Sequence, residues 1–419
     1  MRVLLSAYAC EPGRGTEPGV GWNTAWEMSK YHEVWVLTRP DDGKEAIEAE
    51  LQRNPNPNLH FVYFTLPIFG SLWRQGGSIA FLIHYYFWQI RAYFIARRLH
   101  EAIGFDISHH VTFVKYSAPS FLALLPIPFI FGPVGGAESA PTAFAENFRW
   151  KGKIYEFLRG LSQWFGERDP FTQMTVRRSV LSWATTPETA ERLVKMGSSR
   201  VEVLSQVGLL PEEVTWIEQS SLSDRVPLRF ISIGRLLHWK GFDLGLRAFA
   251  QADLPQEVQY WLVGSGPEQD YLQQLVVDLG IADRVKFLAE MPRQELFLNL
   301  GTCLALVHPS LHESGGFVCV EAMAAGRPVV CLDLGGPAVQ VTEETGFKIP
   351  ALSPEQAITG LAKAMIVLAN DPELRSSMGR AGRIRVQEFY NWEVRGHQIC
   401  QMYEDVVKTK LLASESIAR

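Results

Sequence analysis

The sequence predicts an α/β protein built of two doubly wound, Rossmann-like domains, each a parallel sheet with helices on both faces. Three observations carry that expectation. Short apolar runs alternate with helical stretches almost from end to end. The alternation pauses once, in the polar, acidic stretch PEEVTWIEQSSLSDRVP (211–227), and then begins again. A chain of 419 residues exceeds what one core holds and on size alone suggests two or three domains.

In the first half RVLLSAY (2–8), EVWVLT (33–38) and HFVYFTL (60–66) read as strands. A helix is expected to begin near Gly19, and a long helical stretch covers roughly 78–102. FDISHH (105–110) ends a short strand, and IPFIFGPVGG (127–136) runs from a strand into a glycine loop. An aromatic, basic helical region follows around 144–168, and SWATT and RVEVLS close the half. In the second half LRFISIGRL, VQYWLVGSG and RVKFLAE are strands, with GFDLGLRAFA and EQDYLQQLVVDLG as helices between them. The expected domains are 1–206 and 207–390. The segment 391–419 is expected to be a helix packing back on the first domain.

The totals exclude several classes. Hydrophobic residues make up 47% and charged residues 20%, so a large core is expected and global disorder is not. The formal net charge of -5 gives no basic excess to neutralise phosphates, which argues against nucleic acid as the main partner. Cys10, Cys303, Cys319, Cys331 and Cys400 form no C-x-x-C pair; neither a disulfide framework nor a zinc site is indicated, and a cytoplasmic location is expected. The opening MRVLLSAYAC has too short an apolar run for a signal peptide and reads as a buried strand.

The stretch HESGGFVCVE (312–321) carries the chemistry. CLALVHPS before it reads as a strand, VCVEAMAAG as a helix ended by a left-handed Gly326, and PVVCL as the next strand. Glycine amides and a helix N-terminus there form an anion site. Two acids beside such a site are poor anion ligands. Glu313 and Glu321 are better suited to accept hydrogen bonds from hydroxyls attached to the anion, as in a nucleotide sugar.

With GRLLHWKGFDLGLRAF (234–249), LVGSGPEQDYL and RVKFLAE in order before it, this stretch makes the second half resemble the donor-binding domain of glycosyltransferase family 4, which has the GT-B fold of two Rossmann-like domains facing across a cleft. HESGGFVCVEAMAAGRPVV looks like that family's E-x7-E motif, although Ser-Gly-Gly-Phe replaces the usual apolar residue and single glycine. The first half resembles the acceptor domain through EPGVGW (17–22) and FDISHH.

The resemblance implies a retaining hexosyltransferase and assigns roles. Arg235 and Lys240, beside Gly234 and Gly241, would clamp the diphosphate and stabilise the charge left on the departing phosphate. Glu313 would hold the donor sugar and Glu321 the ribose. Ser314, Gly315, Gly316, Phe317 and Val318 would line the donor with backbone, and Gly264 and Phe287 would lie near the base. His109 is expected near the reaction centre, with His110 as an alternative on the acceptor side. Gly19 and Gly21, read as preceding a helix, would bring its N-terminus towards the diphosphate, and Gly135 and Gly136 would line the acceptor side.

No D-x-D triplet occurs, so no metal and no cofactor are expected beyond the donor substrate. The acceptor is expected to be a glycan or lipid-linked, in cell-envelope or exopolysaccharide assembly. The stretches 81–102 and 148–165 are rich in aromatic and basic residues; either a core helix or peripheral docking on an anionic membrane accounts for them. Three rivals compete. A nicotinamide-dependent oxidoreductase needs a G-x-G-x-x-G loop that is missing. A glycoside hydrolase has no use for the cationic clamp. A non-catalytic sugar-nucleotide or glycan-binding protein of the same fold would keep the residues and lack turnover.

Overall fold

The computed structural model describes residues 1–41, 43–66, 77–220 and 228–417. The chain divides into two compact units. The first comprises Met1–Ala137, Gly160–Gln206 and Trp392–Arg419; the second comprises Glu138–Arg159 and Val207–Asn391. Residues 138–159 therefore group with the second unit, where the expected boundary at 206 placed them with the first.

The first unit holds strands β1 (Arg2–Ala7), β2 (Glu33–Thr38), β3 (Leu59–Tyr63), β4 (Ile107–Thr112), β5 (Phe129–Val134), β6 (Leu181–Ala184) and β7 (Val201–Val203). They form one parallel sheet in the order β3-β2-β1-β4-β5-β6-β7. The second unit holds β8 (Arg229–Ile233), β9 (Gln259–Val263), β10 (Val285–Leu288), β11 (Ala305–His308), β12 (Val329–Leu332) and β13 (Gly346–Ile349). Their parallel order is β10-β9-β8-β11-β12-β13. Each sheet reverses its winding direction once, between β1 and β4 and between β8 and β11. In open parallel sheets such switch points are where ligands bind, beyond the strands' carboxyl ends.

The local sequence explains the elements. Central strands such as β4, β5, β11 and β12 are buried at every position, as parallel strands covered on both faces must be. Several helices start on a polar cap followed by proline. Asp169 accepts from the amides of Phe171 and Thr172, Thr186 from Thr189, Ser353 from Gln356 and Asp371 from Leu374. Gly326 is left-handed (φ 67°) just beyond the helix Phe317–Ala324.

One segment differs from the sequence reading, and a second takes up one of its two alternatives. The acidic stretch read as a joint contains the helix Pro211–Ser220, which buries Val214 and Ile217 in the second unit's core. The aromatic stretch 81–102 belongs to the helix Gly77–Ile103, and its Tyr85, Trp88, Ala92 and Ala96 enter the first unit's core. Among the described residues no helix is long and apolar enough to cross a membrane. The final helix, Trp392–Ile417, packs on the helix Glu17–Ser29 within the first unit.

Candidate functional site

In the second unit the site grows from the ends of β8 and β11, the two strands at the switch point. Gly234 follows β8 with φ 148°, and Gly264 follows β9 with φ 134°. A Cβ on Gly264 would lie 2.1 Å from the carbonyl oxygen of Gly234, so glycine at 264 is required for the strand ends to approach, while at 234 it is the positive φ that favours glycine. The chain then turns through Arg235 and a single 3-10 turn, His238–Lys240, into the helix Phe242–Gln251. Arg235 is exposed, and no carboxylate among the described residues pairs with it.

Lys240 reaches the loop after β11 and donates to Glu313. The same carboxylate accepts from the amide of Gly316 at 3.3 Å and lies 3.5 Å from Nε2 of His308. Burial alone would raise the Glu313 carboxyl, but Lys240 and His308 hold it well below the ordinary carboxylate range. Gly316 is left-handed (φ 69°) and caps the helix Phe317–Ala324 without a side-chain cap, which leaves no side chain on the first amides, at Phe317 and Val318. Ser314 Oγ donates to Glu138 at 2.6 Å, and Gln340 donates to the carbonyl of Gly315. The amide of Gly336 donates to the carbonyl of Glu313 at 2.7 Å, which fixes the loop from its other side.

Glu321 lies on the same helix and is buried. Arg293 donates to its Oε1 from Nη2 at 2.9 Å and also pairs with Glu213. Burial raises the Glu321 carboxyl, and Arg293 offsets part of that rise. Phe287 sits on β10 and packs against the core from a half-buried position near that strand's carboxyl end. The structure therefore brings together the predicted Gly234, Lys240, Gly264, Glu313, Ser314, Gly315, Gly316 and Glu321. It adds His308, Glu138, Arg293, Gln340 and Glu156, which the sequence reading missed. Glu156 accepts from Nε2 of both His238 (3.0 Å) and His312 (2.9 Å), joining the two loops behind the Lys240–Glu313 pair.

In the first unit both predicted histidines lie inside the core. His109 is fully buried on β4. Its Nε2 donates to the carbonyl of Gly132 at 2.5 Å, and its Nδ1 accepts from the Tyr403 hydroxyl at 2.5 Å. Burial pushes its pKa down to about 3. Both of its ring nitrogens are thus engaged inside the core. His110 is also fully buried, donates to the carbonyl of Phe113 at 3.3 Å and is lowered by burial to about 4.

Gly19 and Gly21 lie inside the helix Glu17–Ser29 instead of before it. A Cβ on Gly19 would meet the Arg14 carbonyl at 1.7 Å, and one on Gly21 the Ala9 carbonyl at 2.3 Å. Tertiary crowding accounts for glycine at both positions. Gly135 and Gly136 follow β5; Gly135 pairs with the 114–116 segment, and the Gly136 carbonyl accepts from Gln163 at 2.6 Å.

At the β1/β4 switch the sequence reading passed over Glu17, the first residue of its own EPGVGW. The Glu17 carboxylate accepts from the amides of Phe113 and Val114, the latter at 2.8 Å. Phe113 holds φ 78°, a left-handed conformation that few side chains adopt. Beside it Tyr8, Arg14, Glu17, Arg39 and Phe81 line an open cavity of about 600 Å³.

Residues 215–385 match the family model described as glycosyl transferases group 1. A lipopolysaccharide core biosynthesis glycosyltransferase of Rhizobium meliloti is 34% identical over 152 residues, covering 36% of this chain and 42% of that protein. A GDP-mannose-dependent mannosyltransferase of Corynebacterium glutamicum, acting on a phosphatidylinositol monomannoside, is 28% identical over 242 residues, covering 56% and 60%. The chain thus spans about half the length of these relatives. Anabaena HepE, solved with UDP and glucose, superposes with a TM-score of 0.58 at 20% identity, covering 96% of this chain and 99% of that one. That likeness is one of fold, and the fold is GT-B. The likeness to the glycosyl transferases group 1 family is carried by residues 215–385, less than half of the chain, with this fold around them.

Proposed function

We propose that the chain transfers a hexosyl unit from a nucleotide diphosphate sugar to a glycan or lipid-linked acceptor, with retention at the anomeric carbon and without a metal ion. Its pathway in this reading is cell-envelope or exopolysaccharide assembly, at the cytoplasmic face of a membrane. The relatives whose names include lipopolysaccharide core and a phosphatidylinositol mannoside support the acceptor class.

One observation carries the reading. The Lys240–Glu313 pair stands where β8 and β11 diverge, beside the glycine-capped start of the helix Phe317–Ala324. A diphosphate placed there meets Lys240, the exposed Arg235 and the uncapped amides. These fixed positive groups favour the transition state, in which charge builds on the departing phosphate oxygen. Glu313, kept ionised, accepts from donor-sugar hydroxyls once Lys240 turns to the phosphate. Glu321, oriented by Arg293, accepts from the ribose. The acceptor is assigned to the first unit, at the cavity beside Glu17 and Phe113.

The test is a transfer assay with UDP- and GDP-hexoses and lipid-linked or oligosaccharide acceptors, run in excess EDTA. Hexosyl transfer that persists in EDTA supports the reading. Activity that vanishes and returns with magnesium contradicts the metal-independent part. Donor binding with neither transfer nor hydrolysis under any condition points to a non-catalytic sugar-nucleotide-binding protein.

A further inference from the structure

We propose that the outward face of the helix Trp150–Arg168 docks on an anionic lipid surface. The proposal deepens the peripheral-membrane part of the reading above and rests on it. The helix is inverted. A helix on a protein surface ordinarily buries its apolar stripe and turns its polar residues to water. This helix does the reverse.

Its inward positions are Gly152, Glu156, Arg159, Gln163 and Gly166, at helical spacing. A Cβ on Gly152 would lie 3.0 Å from the His238 ring, and Glu156 accepts from His238 and His312; these contacts lie in the second unit. Gln163 donates to the Gly136 carbonyl, and a Cβ on Gly166 would lie 2.3 Å from the Ser117 carbonyl; these lie in the first. The body of the protein is thus met by glycine and polar groups.

The opposite stripe has the same spacing and opposite chemistry: Trp150, Ile154, Phe157, Leu161 and Trp164. All five are exposed, Phe157 at 70% and Trp150 at 66%, and Leu158 and Phe165 widen the stripe. No single-residue accident places that much apolar area in water along one helix.

Charge selects the occupant. The helix has two acids, Glu156 and Glu167, and both turn inward, Glu167 accepting from the Tyr116 hydroxyl at 2.6 Å. The exposed ionised groups, Lys151, Lys153 and Arg168, are all cationic. A cationic rim around an aromatic stripe bearing two tryptophans fits the boundary between lipid headgroups and acyl chains. A second copy of the same face would bring like charges together.

The experiment uses the full chain and vesicles of phosphatidylcholine with or without phosphatidylglycerol. The proposal expects co-sedimentation with the anionic vesicles at low salt, weakening as salt rises. The double variant Phe157→Ser/Trp164→Ser is expected to lose about tenfold or more in vesicle partitioning. Lys151→Glu/Lys153→Glu is expected to lose the preference for phosphatidylglycerol. Both pairs point outward, so melting temperature and donor binding in lipid-free solution are expected to match the parent. Absence of binding by the parent, or binding that neither variant weakens, overturns the proposal and leaves the donor reading standing. A lipid-free dimer that Phe157→Ser/Trp164→Ser dissociates also overturns it, because a second copy then covers the face. Vesicle binding without any donor binding would sustain docking while the transferase reading fails.

Discussion

Lys240 and Glu313 are ion-paired across the carboxyl ends of β8 and β11, neighbouring parallel strands at the point where the second sheet reverses its winding. Each side chain neutralises the other. A diphosphate entering there competes with Glu313 for Lys240, and releasing Glu313 frees an ionised acceptor for sugar hydroxyls. Binding and the arming of the sugar site are therefore one event in this account.

The two halves of the pair are expected to fail differently. Lys240→Ala removes the phosphate's cation and should weaken both donor binding and turnover, the latter on the order of a hundredfold. Glu313→Gln leaves Lys240 without its competitor. It should bind free UDP or GDP at least as well as the parent while losing turnover on a similar scale. Calorimetry with the free nucleoside diphosphates, set beside turnover, separates the two. Equal loss of nucleotide binding in both variants would contradict the competition.

Glu156 gives a prediction in pH. Burial alone would raise its carboxyl, but hydrogen bonds from His238 and His312 lower it to about 2 from an ordinary 4.5. A depressed carboxyl stabilises the fold fully above the unfolded value. That contribution is lost as pH falls from about 4.5 through about 2. Glu156→Gln should cost up to about 3 kcal/mol at neutral pH, and its stability should fall less steeply below pH 4.5 than the parent's. Denaturant unfolding at neutral and acid pH checks it; parallel acid limbs would refute the assignment.

Gly264 tests the close approach of the strand ends. With φ 134° and a Cβ position 2.1 Å from the Gly234 carbonyl oxygen, Gly264→Ala is strained twice over. A loss of about 3 kcal/mol in unfolding free energy is expected, together with weaker donor binding. A variant of parental stability would show that the two turns have slack.

His109 is a structural residue in this account. Tyr403→Phe removes the hydroxyl that donates to its Nδ1 and should cost about 1–2 kcal/mol of stability. The pH dependence of kcat/KM should not change, because no titrating base is lost. A shifted acid limb in Tyr403→Phe would return His109 to the chemistry.

Much of the second unit was legible because its signals are local. The all-apolar runs of β11 and β12 mark buried parallel strands, and left-handed Gly241, Gly316 and Gly326 sit at the turns where the sequence punctuates them. The partners of the site were not legible. Glu138 meets Ser314 across 176 positions and Glu156 meets His312 across 156, and no periodicity records such pairings. The helix Pro211–Ser220 was hidden because acids surround the few apolar residues it buries. Gly19 and Gly21 misled because glycine favours loops, and packing against the 9–14 backbone overrode that preference. The doublet His109-His110 lies on a buried strand in either reading, and only the third dimension shows Tyr403 and Gly132 closing on its first ring.

The most direct test of the central claim is calorimetric titration of a panel of UDP- and GDP-hexoses, in EDTA, into the parent protein and into Lys240→Ala. The account predicts that at least one nucleotide sugar binds the parent without metal and that Lys240→Ala weakens that binding by about tenfold or more. Absence of binding by every donor, or binding that Lys240→Ala leaves unchanged, would contradict it.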